Sequence, residues 1–156
     1  QESSVFKKLT VWENLKIILE YSGLDKKQQQ ERLQNLMYEL GIEKLSGQKA
    51  FQLSGGERRR LEIARALILN PKFMLLDEPF AGIDPLAVDD IQKIVFDLKS
   101  RDIGILISDH NVRETMHICD KVYLVYEGRI ILEGTPEDIV SDTKAREVYL
   151  GEKFSL

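Results

Sequence analysis

An unbroken apolar run, Phe73-Met74-Leu75-Leu76, closes on Asp77-Glu78-Pro79. Continuous rather than alternating hydrophobicity predicts a strand covered on both faces, as parallel strands inside an α/β layer are. A second such run spans Ile103 to Ser108. Between the two, Asp84-Pro85 supplies an N-cap and a proline for the first helical turn. Ile91, Ile94, Val95 and Leu98 then share one face of a helix that extends to about Arg101. Strand, helix and strand in that order predict an α/β core, preceded here by a mostly helical portion.

The helical portion carries its own boundary signals. Thr10-Val11-Trp12-Glu13 is a capping box, in which a hydroxyl and a carboxylate satisfy free amides at a helix start. It predicts a helix from Val11 to about Tyr21, stopped by Gly23. Asp25 can cap the next helix, where Leu33, Leu36, Met37 and Leu40 make one buried stripe and Gly41 ends it. Ser54 to Glu57 forms a second capping box, opening a helix to Leu69 that Asn70-Pro71 stops. After the second buried strand, a short helix is predicted around Val112 to Cys119. A hairpin turning at Glu127-Gly128 follows, and then terminal helices from Thr135-Pro136.

Composition narrows the function classes. A chain of 156 residues with 43% hydrophobic and 31% charged residues is ordinary for a globular domain. Its longest apolar stretches are strand-length, well below the roughly 20 residues of a membrane span. The net charge of −4 argues against nucleic acid as a partner, with the basic cluster Arg58-Arg59-Arg60 left as a candidate phosphate contact. The single cysteine, Cys119, excludes an internal disulfide and is read as core.

Two constellations carry chemistry. Ser54-Gly55-Gly56 places two glycines at a helix start, where each costs about 1 kcal/mol relative to alanine. Their backbone amides, the helix dipole and the Ser54 hydroxyl together suit a terminal phosphate. Asp77 and Glu78 end a buried strand, the edge at which open α/β sheets bind ligands. Asp77 can hold Mg²⁺, and Glu78 can orient and deprotonate a water for attack on phosphorus. His110 ends the second strand and can donate to a phosphate oxygen. His117 is read as structural, Asp84 has a plain role as an N-cap, and Arg58-Arg59-Arg60 reads as a solvated helix face. No G-x-x-x-x-G-K-[ST] loop occurs in the 156 residues.

In this order, these motifs resemble the nucleotide-binding subunit of ATP-binding cassette (ABC) transporters. Leu53 to Glu57 is similar to the family signature, Phe73 to Glu78 to the Walker B strand, and Ala81-Gly82-Ile83-Asp84 to the D-loop. The fold class so implied is an α/β, ABC-type ATPase core without its N-terminal part, with a helical subdomain. Residues 1–70 would be that subdomain, 71–134 the C-terminal half of the core and 135–156 a helical extension. The resemblance implies ATP and Mg²⁺, with Glu78 and the switch histidine His110 as catalytic residues. Ser54, Gly55, Gly56, Gln1 and Asp84 would contact nucleotide, and Asp77 and the Q-loop glutamine Gln1 would serve the metal.

It also implies a head-to-tail pair of ATPase subunits working with integral membrane subunits on the cytoplasmic face of the inner membrane. Coupling elements of those subunits would meet Val5, Phe6, Leu9 and Trp12, residues that could equally be core. Within the family, the stretches Ser54 to Arg65, Asp77 to Gly82, Asp109 to Thr115 and Val148 to Phe154 look like ATPases of lipopolysaccharide export. Branched-chain amino-acid importers are the near alternative. The C-terminal lobe of a chromosome-maintenance ATPase and a non-catalytic remnant are further ones. The phosphate-cradling loop is expected upstream of Gln1, and the chain alone is expected not to turn over ATP.

Overall fold

The computed structural model describes residues 4–151 and residue 154; Gln1 lies outside them. The chain divides into two compact units, residues 1–108 and 109–156.

In the first unit, α1 (Val11–Leu19), α2 (Lys26–Glu39) and α3 (Gly55–Leu67) precede β1 (Phe73–Asp77), α4 (Pro85–Ser100) and β2 (Gly104–Ser108). Each helix start is chemically specified. Thr10, Asp25 and Ser54 all form capping boxes, and Asp84 accepts from the Ala87 amide ahead of Pro85. The helices end slightly earlier than predicted. α1 closes at Leu19 and α3 at Leu67, and Asn70 reverses the chain at φ 49°. Leu15, Leu19, Leu36, Ile42, Leu61, Ile63 and Ile91 are fully buried where these helices meet. Burying each such side chain is worth roughly 1.5–3 kcal/mol, so this apolar seam is the main force holding α1, α3 and α4 together.

Segment 7–12 is stitched to segment 46–51. The Val11 amide donates to the Gln48 carbonyl at 2.9 Å, and the Ala50 amide to that of Leu9 at 2.9 Å. These bonds anchor the loop that delivers Ser54 to the start of α3.

β1 and β2 pair in parallel, with Phe73 opposite Gly104 and Asp77 opposite Ser108. The expectation that both strands are covered on two faces is not met. Met74 is buried, but Phe73, Leu75 and Leu106 are 58%, 72% and 51% exposed. α4 packs against β2, while Leu75 and its register partner Leu106 stand exposed. Val5 is core, whereas Phe6 and Trp12 are exposed.

In the second unit, α5 (Val112–Met116) leads to the antiparallel hairpin β3 (Val122–Tyr126) and β4 (Arg129–Gly134). Glu127 and Gly128 both have positive φ, 48° and 74°, as a two-residue hairpin turn requires. α6 (Pro136–Ser141) and the short α7 (Thr143–Ala145) follow, and Met116, Leu124, Ile139 and Ala145 form the core. Cys119 is half-buried rather than core, and His117 is exposed at the end of α5.

Candidate active site

Asp77 and Glu78 occupy the carboxyl edge of the parallel pair, where β1 ends. The Ser108 hydroxyl donates to Asp77 Oδ1 at 2.5 Å. That hydrogen bond, helped by the charge of Arg59, holds the Asp77 carboxyl below its usual range. Asp77 is therefore ionised at neutral pH, the state a cation needs. Glu78 leaves the strand at φ 44°, in the left-handed region that side-chain-bearing residues seldom adopt. Three hydrogen bonds keep it there. Its amide donates to the Ser108 carbonyl at 2.7 Å, and its own carbonyl accepts from the Ala81 amide at 3.2 Å. Arg59 Nη2 donates to the same carbonyl at 2.9 Å.

Sequence reasoning missed Arg59. Instead of a solvated face, Arg59 and Arg60 have side chains only 24% and 18% exposed. Arg59 also pairs with Glu62 at 2.8 Å, and Arg60 reaches Asp90 at 3.4 Å. The available signal was periodicity. Arg59 lies four positions before Ile63 and Arg60 four before Ala64, both buried, so these two cations border the packed face of α3.

At the start of α3, Ser54 Oγ accepts from the Glu57 amide while Glu57 accepts from the Ser54 amide. The glycines have a packing reason the sequence did not reveal. A Cβ on Gly55 would lie 2.9 Å from the Gly82 carbonyl oxygen, and one on Gly56 would lie 2.6 Å from Ala87 Cβ. α3 thus approaches the 82–87 segment at backbone distance, which brings Ser54, Gly55 and Gly56 into the same unit as Asp84. Asp84 caps α4 through the Ala87 amide at 3.0 Å. Replacing an exposed mid-helix glycine by alanine ordinarily stabilises by about 1 kcal/mol. At Gly56 the overlap with Ala87 outweighs this, since overpacking costs roughly 1–3 kcal/mol. The Gly56→Ala protein is expected to melt lower than the parent; a higher melting temperature would contradict the close approach.

A groove of about 670 Å³ lies beside β1, lined by Arg59 and Glu62 of α3 and by Phe73, Leu75, Asp77 and Glu78 among others. His110 belongs to the second unit, with its side chain 70% exposed. It stands in a tight turn before α5, where Asp109 accepts from the Asn111 amide at 2.7 Å. Its Nδ1 lies 3.8 Å from the Asp109 carboxylate.

The family model described as "ABC transporter" matches residues 1–81, over half of the chain. The chain belongs to the ABC transporter family. A second model, "Branched-chain amino acid ATP-binding cassette transporter", matches residues 129–155. Among curated ABC proteins, the chain is 52% identical to the lipopolysaccharide export system ATP-binding protein LptB of Haemophilus influenzae, over the whole chain and 65% of that protein. It is 50% identical to Escherichia coli LptB over the same shares. A probable ABC transporter ATP-binding protein of Azorhizobium caulinodans is 50% identical, with 56% of its length covered. The chain spans about 65% of the LptB proteins it matches.

Solved ATP-binding cassettes share the fold. The ADP conformation of MJ1267, an ATP-binding cassette of an ABC transporter, superposes with a TM-score of 0.78 at 33% identity, covering 94% of this chain and 64% of that one. CbiO1 of Clostridium perfringens gives 0.81 at 30% identity, covering 96% and 60%. The α/β class and the helical subdomain expected from the sequence are those of this family.

Proposed function

We propose that this chain is part of the ATP-hydrolysing subunit of an ABC transporter that powers lipopolysaccharide export. The observation that carries the reading is the acidic pair at the β1 edge, with Glu78 clamped in a left-handed backbone conformation. Such strain persists where the surrounding structure imposes it, and it clusters at functional sites. Family membership and the match to LptB proteins over the whole of this chain support the substrate class.

In this reading Glu78 is the general base that takes a proton from the attacking water, and His110 donates to a phosphate oxygen. Ser54, Gly55 and Gly56 act on the nucleotide of a second ATPase subunit paired head to tail, with Asp84 beside them and Gln1 serving nucleotide and metal. The ionised Asp77 fits Mg²⁺, which is commonly held by one or two carboxylates together with substrate phosphates. Mg²⁺ there would neutralise charge building on the phosphates. Residues 1–70 serve as the helical subdomain, 71–134 as the C-terminal half of the ATPase core and 135–156 as an extension.

No helix among the described residues is long and apolar enough to cross a membrane. In this reading the chain works on the cytoplasmic side of the inner membrane with integral membrane subunits, the exposed Phe6 and Trp12 serving as contacts. The match over residues 129–155 supports a second reading, a branched-chain amino-acid importer. The test is ATP hydrolysis by the P-loop-containing protein assembled with its membrane subunits. Stimulation by lipopolysaccharide is the expected result. Stimulation by leucine or valine instead would transfer the protein to the second reading.

A further inference from the structure

Asp77 and Glu78 are consecutive, so a continuing strand would send their side chains to opposite faces. The turn of Glu78 to φ 44° breaks that alternation. Both acids are tied to one residue across the ladder. Ser108, the register partner of Asp77, donates its hydroxyl to Asp77 Oδ1 at 2.5 Å and accepts the Glu78 amide on its carbonyl at 2.7 Å. We propose that Ser108 is a positioning residue for the acidic pair, its hydroxyl fixing the carboxylate of Asp77 and its carbonyl pinning the peptide of Glu78. The proposal rests on the functional reading above, which makes Asp77 the metal ligand and Glu78 the base.

Ser108 is a polar end to an otherwise apolar strand, Ile105-Leu106-Ile107. A hydroxyl has a single proton to give, and here it goes to the carboxylate. Hydroxyl-to-carboxylate bonds at 2.5–2.7 Å are charge-assisted and roughly twice as strong as neutral ones. The bond selects among the staggered χ1 wells of Asp77, only some of which aim an oxygen past the strand end. The carbonyl contact survives any substitution at Ser108, so side-chain variants isolate the Asp77 half of the device.

The experiment uses the P-loop-containing protein in a Glu78→Gln background, so that ATP persists, and reads Mn²⁺ binding with ATP present by electron paramagnetic resonance. Partners that orient metal ligands typically contribute 10–100-fold in affinity. Ser108→Ala is expected to weaken Mn²⁺ binding about tenfold or more, with Ser108→Thr restoring most of it. Should Ser108→Ala fail to fold, Ser108→Val against Ser108→Thr decides, because the two have the same shape and differ only in the hydroxyl. Equal Mn²⁺ affinity in Val and Thr proteins, or in Ala and parent proteins, overturns the proposal. Undiminished ATP turnover by Glu78→Gln alone would instead remove the functional reading, whatever Ser108 does.

Discussion

In the P-loop-containing protein, Glu78→Gln is expected to reduce ATP turnover by roughly 10²–10⁴-fold, the usual contribution of a positioned general base, while ATP binding is retained. The amide keeps the size and shape of the carboxylate but cannot accept a proton from water. The bonds that hold its backbone are made by its own main-chain atoms. The Glu78 amide stays on Ser108 and its carbonyl on Arg59 and Ala81, so the turn at φ 44° is preserved. Loss of turnover would then report chemistry rather than local unfolding. Steady-state phosphate release alongside equilibrium ATP binding makes the distinction. Turnover close to the parent's would remove Glu78 from its assigned role.

The second large effect concerns stability and arises far from the acids. Asn14 is fully buried on α1. Its Oδ1 accepts the Phe6 amide at 2.8 Å and Arg65 Nη1 at 3.3 Å. Its Nδ2 donates to the carbonyls of Phe6, Leu9 and Thr10 at 3.1, 3.3 and 2.9 Å. One side chain thus ties residues 6–10, α1 and α3 together. Arg65 adds a bond to the Ser4 carbonyl and lies 4.9 Å from the centroid of the Phe6 ring. Asn14→Ala strands these groups and leaves a void. Each buried polar group left unpaired costs about 1–3 kcal/mol, so a total loss of roughly 2–4 kcal/mol is expected. Against a typical stability of about 5–15 kcal/mol, that is a visible shift in a denaturation midpoint. A midpoint within error of the parent's would show that the network contributes nothing net.

The legible parts of this protein were those written in local chemistry. Thr10, Asp25, Ser54, Asp84 and Thr135 each cap a helix as their neighbours imply, and Glu127-Gly128 turns the hairpin. The acidic pair was legible because a strand end is marked by where apolar residues stop. The missed features all depend on long-range contacts. Arg59 reads as one of three solvated cations until Glu78, 19 residues later, is brought beneath it. Gly55 and Gly56 suggested room for a ligand, whereas Gly82 and Ala87 show that the room is partly taken by the chain itself. Asn14 was detectable in principle, since it interrupts the apolar stripe of Val11, Leu15 and Leu19 on one helix face. The burial expected of β1 and β2 failed because a continuous apolar run records a strand's need for cover on both faces. Which element supplies that cover lies outside the strand itself.

The left-handed turn at Glu78 also bears on how this site could be lost. A glycine or asparagine would occupy that backbone conformation with less strain, so holding the proposed base here costs the fold something. Selection for thermal robustness alone, in a laboratory screen or in a lineage that no longer uses the activity, would therefore push against the glutamate itself.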